Sequence, residues 1–383
     1  NVPHLRFPEF EGEWEKCKLG DIATGFDYGM NAPAKVFDGV NKYIRITDID
    51  EASSTYNDSD IVSPDGTLTD TYLVNERDIL LARTGASTGK SYLYKKTDGK
   101  LYFAGFLIRA NVPEHNPYFV FSQLHTHRYW KWVSIMSARS GQPGINSQEY
   151  STFPIYTTSI QEERKISKLL SLLDERIATQ SKLIEKLESL IKGIVDCTIL
   201  RKEKNAIVGD VCSISEQIRA EANIDDIITV RLHGNGVCKS SAENLQLGAT
   251  QYYRRRAGQL IYGKQNFHNG AIGIVPISLN NGITSKDIPS FDIDEMKCNS
   301  VYLLAQLQSP QYYKPAEALT TGTGSKRLKE ETFLKMPIVL PNKREQDNIA
   351  VLIHRASMNL DHAKRLLELL SIQKQFLLRQ MFI

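Results

Sequence analysis

The chain has 383 residues, of which 41% are hydrophobic, 24% charged and 9% aromatic, and its net charge is +3 from 47 Lys and Arg against 44 Asp and Glu. That length points to two or three domains, the apolar fraction excludes a disordered polymer, and the near-balanced charge permits an anionic partner without demanding one. The five scattered cysteines include no Cys-x-x-Cys pair, which argues against a disulfide framework or zinc site. No apolar run nears the roughly 18 residues of a membrane span, and "NVPHLRFPEF" has no signal-peptide core, so a cytoplasmic location is expected.

Near the start, "CKLGDI" at Cys17 opens a loop-rich stretch. In it "KYIRITDI", "DILLAR", "SYLYKK" and "LYFAGFLIRANV" read as short strands, with turns such as Asp98-Gly99 between them. Between the second and third lies "RTGASTGKS", Arg83 to Ser91, which looks like a phosphate-cradling loop. A P-loop places four residues between its first Gly and the Gly-Lys-Ser/Thr and then enters a helix. Gly85 and Gly89 enclose only three, and "YLYKK" downstream alternates like a strand, so nucleotide binding is not expected here. "NPYFVFSQLHTHRYWKWV" predicts one helix, with Asn116 and Pro117 at its start. His125 and His127 within it are two apart and cannot share a helical face, which argues against a metal pair.

From Ile166 the pattern changes to Ile166, Leu170, Leu173, Ile177, Gln180, Ile184, Leu187, Ile191 and Ile194, with spacings that alternate four and three. That is a coiled-coil seam, interrupted once by a polar residue of the kind that fixes register. Further along, "QLIYGK", "GAIGIVPIS" and the helical "NSVYLLAQLQSPQYY" repeat the order of the first stretch. The chain then repeats its long helix: Ile349, Ile353, Ala356, Leu360, Ala363, Leu367, Leu370, Lys374 and Leu377 follow the first seam at an offset of 183 residues. The same offset carries "FPIYTTSIQEERKISKLLSLLD" at Phe153 onto "MPIVLPNKREQDNIAVLIHRAS" at Met336, and "RSGQPGI" at Arg139 onto "GTGSKRL" at Gly322. "CKLGDI" matches "AIVGDV" at Ala206 with an offset of 189, the difference falling in loops. The protein is a tandem duplication of an α+β unit that ends in a long helix.

Leu169, Leu172, Leu183 and Leu190 on the first helix, and Leu352, Leu366, Leu369 and Phe376 on the second, widen the apolar stripe beyond what a helix pair needs. They suggest a surface for partner helices; the alternative is that they pack on the loop-rich parts. Domain termini commonly lie close together. On that rule the second helix starts where the first ends and returns antiparallel along the matched seam. A helix of about 38 residues is about 57 Å long, so the expectation is two similar but unlike heads spaced by a stiff hairpin. Identical heads suit a palindrome; unlike heads suit a DNA target with two different half-sites.

Two variable α+β parts, each followed by a Pro-Ile strand and a Glu-x-x-x-Ile helix start, resemble the specificity subunit of type I restriction-modification enzymes. The resemblance rests on "RFPEFEGEWEKCKLGDI", "FPIYTTSIQEERKISKLLSLLDERI" and "MPIVLPNKREQDNIAVLIHRAS" and covers essentially the whole chain. It implies target recognition domains at 1–157 and 201–340, with spacer helices at 158–200 and 341–383 forming an antiparallel coiled coil. It also implies that the helices dock two methyltransferase subunits and, through them, restriction subunits. On this resemblance the chain has no catalytic residues and no cofactor of its own; S-adenosylmethionine belongs to the methyltransferase partner, and ATP and Mg to the restriction partner.

Base edges are read by Arg, Lys, Asn and Gln, and phosphates are held by Lys, Arg, Ser, Thr and backbone amides. In the first copy the candidates are Arg83, Thr84, Ser87 and Lys90 on the glycine-rich turn, with Arg139, Ser140, Gln142, Asn146 and Gln148 on "ARSGQPGINSQ". In the second they are Lys264, Gln265, Asn266, His268 and Asn269 opposite that turn, Ser325, Lys326 and Arg327 on "TTGTGSKRLKEE", and Arg254 in "YYRRR", which also reads as a solvated strand end. Readings as an enzyme find less support. "NPYF" at Asn116 lacks the second proline of a methyltransferase motif, and the acids Asp65 and Asp98 with Lys100, which could be assembled into a nuclease, have no equivalent in the second copy. A scaffold that joins proteins without touching DNA is the remaining alternative.

Overall fold

Strand order carries the duplication into three dimensions. The computed structural model describes residues 1–138, 142–240, 250–322 and 326–383. They divide into two compact units, Asn1–Lys182 with Arg365–Ile383, and Leu183–Lys364. In the first unit a four-stranded antiparallel sheet has the order Thr24–Tyr28, Leu107–Asn111, Asp78–Ala82, Ser91–Leu93. In the second the order is Cys212–Ile214, Ser290–Ile293, Leu260–Tyr262, Ile272–Ile274, again antiparallel throughout. These are the same positions of the repeat in the same sequence of neighbours. The strand Asp78–Ala82 is buried along its whole length. Alternation sends Ile79 and Leu81 into one apolar cluster and Leu80 and Ala82 into another, so the sheet is packed on both faces there.

Two predicted elements are each split in two. "LYFAGFLIRANV" breaks at Gly105-Phe106. Leu101–Phe103 pairs in parallel with Lys42–Ile44, Leu107–Asn111 joins the main sheet, and Leu107 N–H donating to Ala104 O at 2.8 Å closes the turn between them. The single helix expected from Asn116 is two, Pro117–Gln123 and His127–Met136. The Thr126 hydroxyl accepts from Tyr129 N–H at 3.3 Å and starts the second; a threonine at that point does more as a cap than inside a helix. His125, at the break, is bonded to Phe121 O and Ser54 Oγ, and burial holds its pKa down to about 4, so it stays neutral. The second copy breaks likewise between Ser300–Leu307 and Pro310–Tyr313, where Pro310 has no N–H with which to continue the preceding helix.

Buried amides fasten each unit to the segment leading into its long helix by the same bonds. Gln123 donates to Tyr156 O at 2.7 Å and accepts from Tyr156 N–H at 3.0 Å; Gln306, at the repeat offset, does the same with Val339 at 3.2 and 2.8 Å. Asn116 and Asn299 cap the following helices, while Glu163 and Gln346 accept from their backbone N–H groups at 2.8 and 2.9 Å.

The long helices span Ile160–Val195 and Lys343–Met381. Every seam position is buried or half-buried, as the four-three spacing requires. In the first unit Ile166, Leu170 and Leu173 cluster with Leu370 and Leu377, and Lys374 pairs with Asp174 at 2.6 Å. In the second, Val195 clusters with Ile349 and Ile353, and Lys364 pairs with Glu188 at 2.8 Å. In both units residue numbers rise on one helix as they fall on the other, so the helices run antiparallel. Leu169, Leu172, Leu183, Leu190, Leu352, Leu366, Leu369 and Phe376 are all exposed rather than packed on the sheets. Among the described residues no helix is long and apolar enough to cross a membrane, and no cluster of His, Cys, Asp and Glu is placed to hold a metal ion.

The first long helix begins at a buried carboxylate. Glu162 accepts from Arg6 Nε and Nη2, both at 2.8 Å, from Thr158 Oγ1 at 2.6 Å and from Trp14 Nε1 at 3.3 Å. Burial alone would raise its pKa, but the bonds from Arg6 and Thr158 outweigh that and hold the carboxyl below its ordinary value. A depressed folded pKa gives stability that is present above the unfolded value, about pH 4.3, and is lost as pH falls through the folded one. Glu162→Gln should therefore cost about 3 kcal/mol near neutral pH. Melting followed by circular dichroism should drop more steeply between about pH 5 and 3 for the parent than for this variant; parallel pH profiles would remove the assignment.

Candidate nucleic-acid interface

In the first unit the stretch Arg83–Lys90 connects the antiparallel strands Asp78–Ala82 and Ser91–Leu93, with a 3-10 turn at Gly85–Ser87. It leads into a strand, so it lacks the helix N-terminus that a nucleotide cradle uses. Gly89 has φ +92° and a Cβ there would sit 2.8 Å from Val133 Cγ1, so both conformation and space call for glycine. Two buried tyrosines pin the base of the turn: Tyr150 donates to Ala82 O at 2.6 Å and accepts from Gly89 N–H at 3.2 Å, and Tyr129 donates to Gly89 O at 2.8 Å. Burial pushes both phenols up, which keeps their donor protons in place.

A second loop docks on this turn. Ile145 N–H donates to Arg83 O at 2.9 Å, Gly85 N–H to Pro143 O at 3.0 Å, and Thr84 bridges Gly144. The structure thus brings Arg83, Thr84, Ser87 and Lys90 together with Gln142 and Asn146. Gln142 and Gln148 are exposed. Asn146 caps the short helix Ser147–Ser151, with its Oδ1 accepting from Glu149 N–H at 2.9 Å. Arg139 and Ser140 lie outside the described residues. The Arg83 guanidinium lies over the ring of Tyr28 at 4.8 Å and near that of Phe106 at 5.9 Å, and among the described residues no acid pairs with it. Lys90 differs, its Nζ being 3.2 Å from Glu51.

The second unit repeats the loop pairing. Leu328 N–H donates to Lys264 O at 2.9 Å, the counterpart of Ile145 on Arg83. The side chains diverge. Lys264 Nζ meets Glu330 at 2.7 Å, Lys326 meets Glu317 at 2.9 Å and Arg327 meets Asp287 at 3.2 Å. The Lys326 and Arg327 pairs are exposed and worth at most about 1 kcal/mol each, so an incoming polyanion can displace their acids. Gln265 and Asn266 are exposed; Asn269 donates to Asn266 Oδ1 at 3.2 Å and lies 3.3 Å from His268 Nε2. Ser325 lies outside the described residues. Arg254 is exposed on a separate three-stranded sheet with Arg219–Ala220 and Ile283–Ser285. Its neighbour Arg255 points the other way and is 0% exposed, donating to Thr284, Ser290, Gln217 and Ile288 O.

Residues 11–189 match the family model for the type I restriction modification DNA specificity domain. The second half of the chain repeats the strand order of the main sheet within that matched region. Residues 11–189 belong to the type I restriction modification DNA specificity domain family. The chain is similar to the type I restriction enzyme MjaVIII specificity subunit of Methanocaldococcus jannaschii, with 21% identity covering 90% of this chain and 86% of the relative. Its fold is similar to the crystal structure of a type I restriction-modification S subunit from M. genitalium, with a TM-score of 0.70 and 13% identity over 100% of this chain and 99% of that one. Within the matched region, sequence reasoning missed Tyr28 and Phe106, which flank Arg83. The one signal for Phe106 is an aromatic residue after Gly105, where a turn between strands leaves a large ring in water.

Proposed function

We propose that each unit reads one half of a split, asymmetric site on double-stranded DNA, and that the paired long helices set the spacer between the halves. In the same reading the helices dock two methyltransferase subunits and, through them, restriction subunits, and the chain itself performs no chemistry. The observation that carries this proposal is one strand order built twice with unlike residues on matched loops. Arg83 stands where the second copy has Lys264, and Gln142 where it has Ser325. A common scaffold holds the loops at equivalent places, and different letters on them are what two different half-sites require. The contacts proposed for the first half are Arg83, Thr84, Ser87, Lys90, Arg139, Ser140, Gln142, Asn146 and Gln148. Those for the second are Arg254, Lys264, Gln265, Asn266, His268, Asn269, Ser325, Lys326 and Arg327. A cytoplasmic location goes with such a target.

The experiment is methylation of a randomised DNA library by the complex of this chain with its methyltransferase subunit. One split motif is expected, with binding that weakens steeply with added salt because phosphate contacts release counterions. Methylation without sequence preference would count decisively against the proposal and in favour of a plain scaffold.

A further inference from the structure

We propose that Arg83 reads a guanine in the half-site engaged by the first unit, with Tyr28 and Phe106 as the jaws that hold its guanidinium. The inference rests on the DNA-reading function proposed above. Lys90, Lys264, Lys326 and Arg327 each face a carboxylate, whereas among the described residues Arg83 faces none. Its guanidinium carbon instead lies over the Tyr28 ring, 4.8 Å from the centroid, and 5.9 Å from that of Phe106. Cation–π attraction holds the guanidinium against the rings without an acid to neutralise it. Its planar fork matches the O6 and N7 acceptors that guanine presents in the major groove.

The root of the side chain is fixed as well. Arg83 N–H donates to Phe106 O at 3.0 Å and Arg83 O accepts from Ile145 at 2.9 Å, so backbone and side chain are ordered before DNA arrives. Ordering in advance removes the entropy cost that a free arginine meets on binding. Tyr28 is anchored in turn by Ser147 N–H, which donates to its hydroxyl at 3.2 Å. Phe106 separates a base contact from a phosphate contact. Phe106 is 55% exposed, and a phosphate gains nothing from bare aromatic surface, while a base edge or thymine methyl does. The matched Lys264 has a side chain only 13% exposed and tied to Glu330, so the Arg83-dependent guanine belongs to one half of the motif alone.

The test uses the full chain in complex with its methyltransferase subunit, on randomised duplexes and on duplexes carrying 7-deazaguanine, which lacks the N7 acceptor. Arg83→Ala and Arg83→Lys should each lower discrimination at one guanine by roughly 5- to 100-fold and leave the other half of the motif intact. Phe106→Ala should give a smaller loss at the same position. Deaza substitution at that guanine should slow the parent by a similar factor and leave Arg83→Ala unchanged. If Arg83→Ala does not fold, the deaza duplex on the parent complex decides. A uniform slowing on all sequences with the motif preserved would mean a phosphate contact and overturn the inference, as would unchanged discrimination. A parent complex with no motif at all would overturn the DNA-reading function instead.

Discussion

Leu170→Asp is expected to unfold the first unit's junction with its long helix and to lower the melting temperature by roughly 10 °C or more. Leu170 is 0% exposed and clusters with Trp14, Phe119, Ile166, Leu173, Leu370 and Phe382. Removing a buried leucine costs about 2 to 5 kcal/mol in cavity and lost transfer energy, and the new carboxylate adds the cost of a charge buried among apolar groups without a partner. Together these approach the about 5 to 15 kcal/mol that holds a whole domain folded. The control is one residue away: Leu169 is 36% exposed, and Leu169→Asp should shift stability by no more than about 0.5 kcal/mol. Circular dichroism melts of the two variants side by side check the claim; equal losses would mean that the seam is not the packed face.

The buried seam was legible in the sequence from a four-three spacing sustained from Ile166 to Ile194, whereas the exposure of Leu169 was one of two readings that spacing left open. The duplication was legible as well: matched segments fold into the same strand order. Local breaks were harder to read. Apolar periodicity runs through Thr126 and Ser309, and there a side-chain cap or the proline that follows ends one helix and starts the next. At the interface, glycine and polar residues marked the turns. What the sequence withheld was partnership, which depends on strand neighbours. Tyr28 reaches Arg83 because Thr24–Tyr28 and Asp78–Ala82 both pair with Leu107–Asn111. The acids Glu51 and Glu330 opposite Lys90 and Lys264 were hidden likewise. "YYRRR" looked like a surface run, yet strand alternation turns Arg255 inward, where burial holds its pKa down to about 10 and four neutral groups accept its hydrogens.

Changing Leu369 and Phe376 together to Glu should abolish capture of the methyltransferase subunit while leaving the melting temperature within about 2 °C of the parent. The two side chains are 54% and 56% exposed, and Leu366 and Ile372 beside them on the helix are 40% and 57% exposed. Leu169 and Leu172 add to the same unit's exposed apolar surface at 36% and 49%. Folded chains that work alone seldom leave so much contiguous aliphatic and aromatic surface in water. Folding gains little from these residues, since they lie off the seam and Glu is a good helix former, so the double change should be nearly neutral for the isolated chain. Docking is different. Truncating an interface anchor costs about 2 kcal/mol or more, and placing a carboxylate in a closing apolar interface costs at least as much again. One such site loses about 4 kcal/mol or more, close to a thousandfold in affinity, and the second adds to that loss. Calorimetric titration of the chain with the methyltransferase subunit reads that loss directly. Wild-type affinity in the doubly charged variant would move the docking surface elsewhere on the molecule.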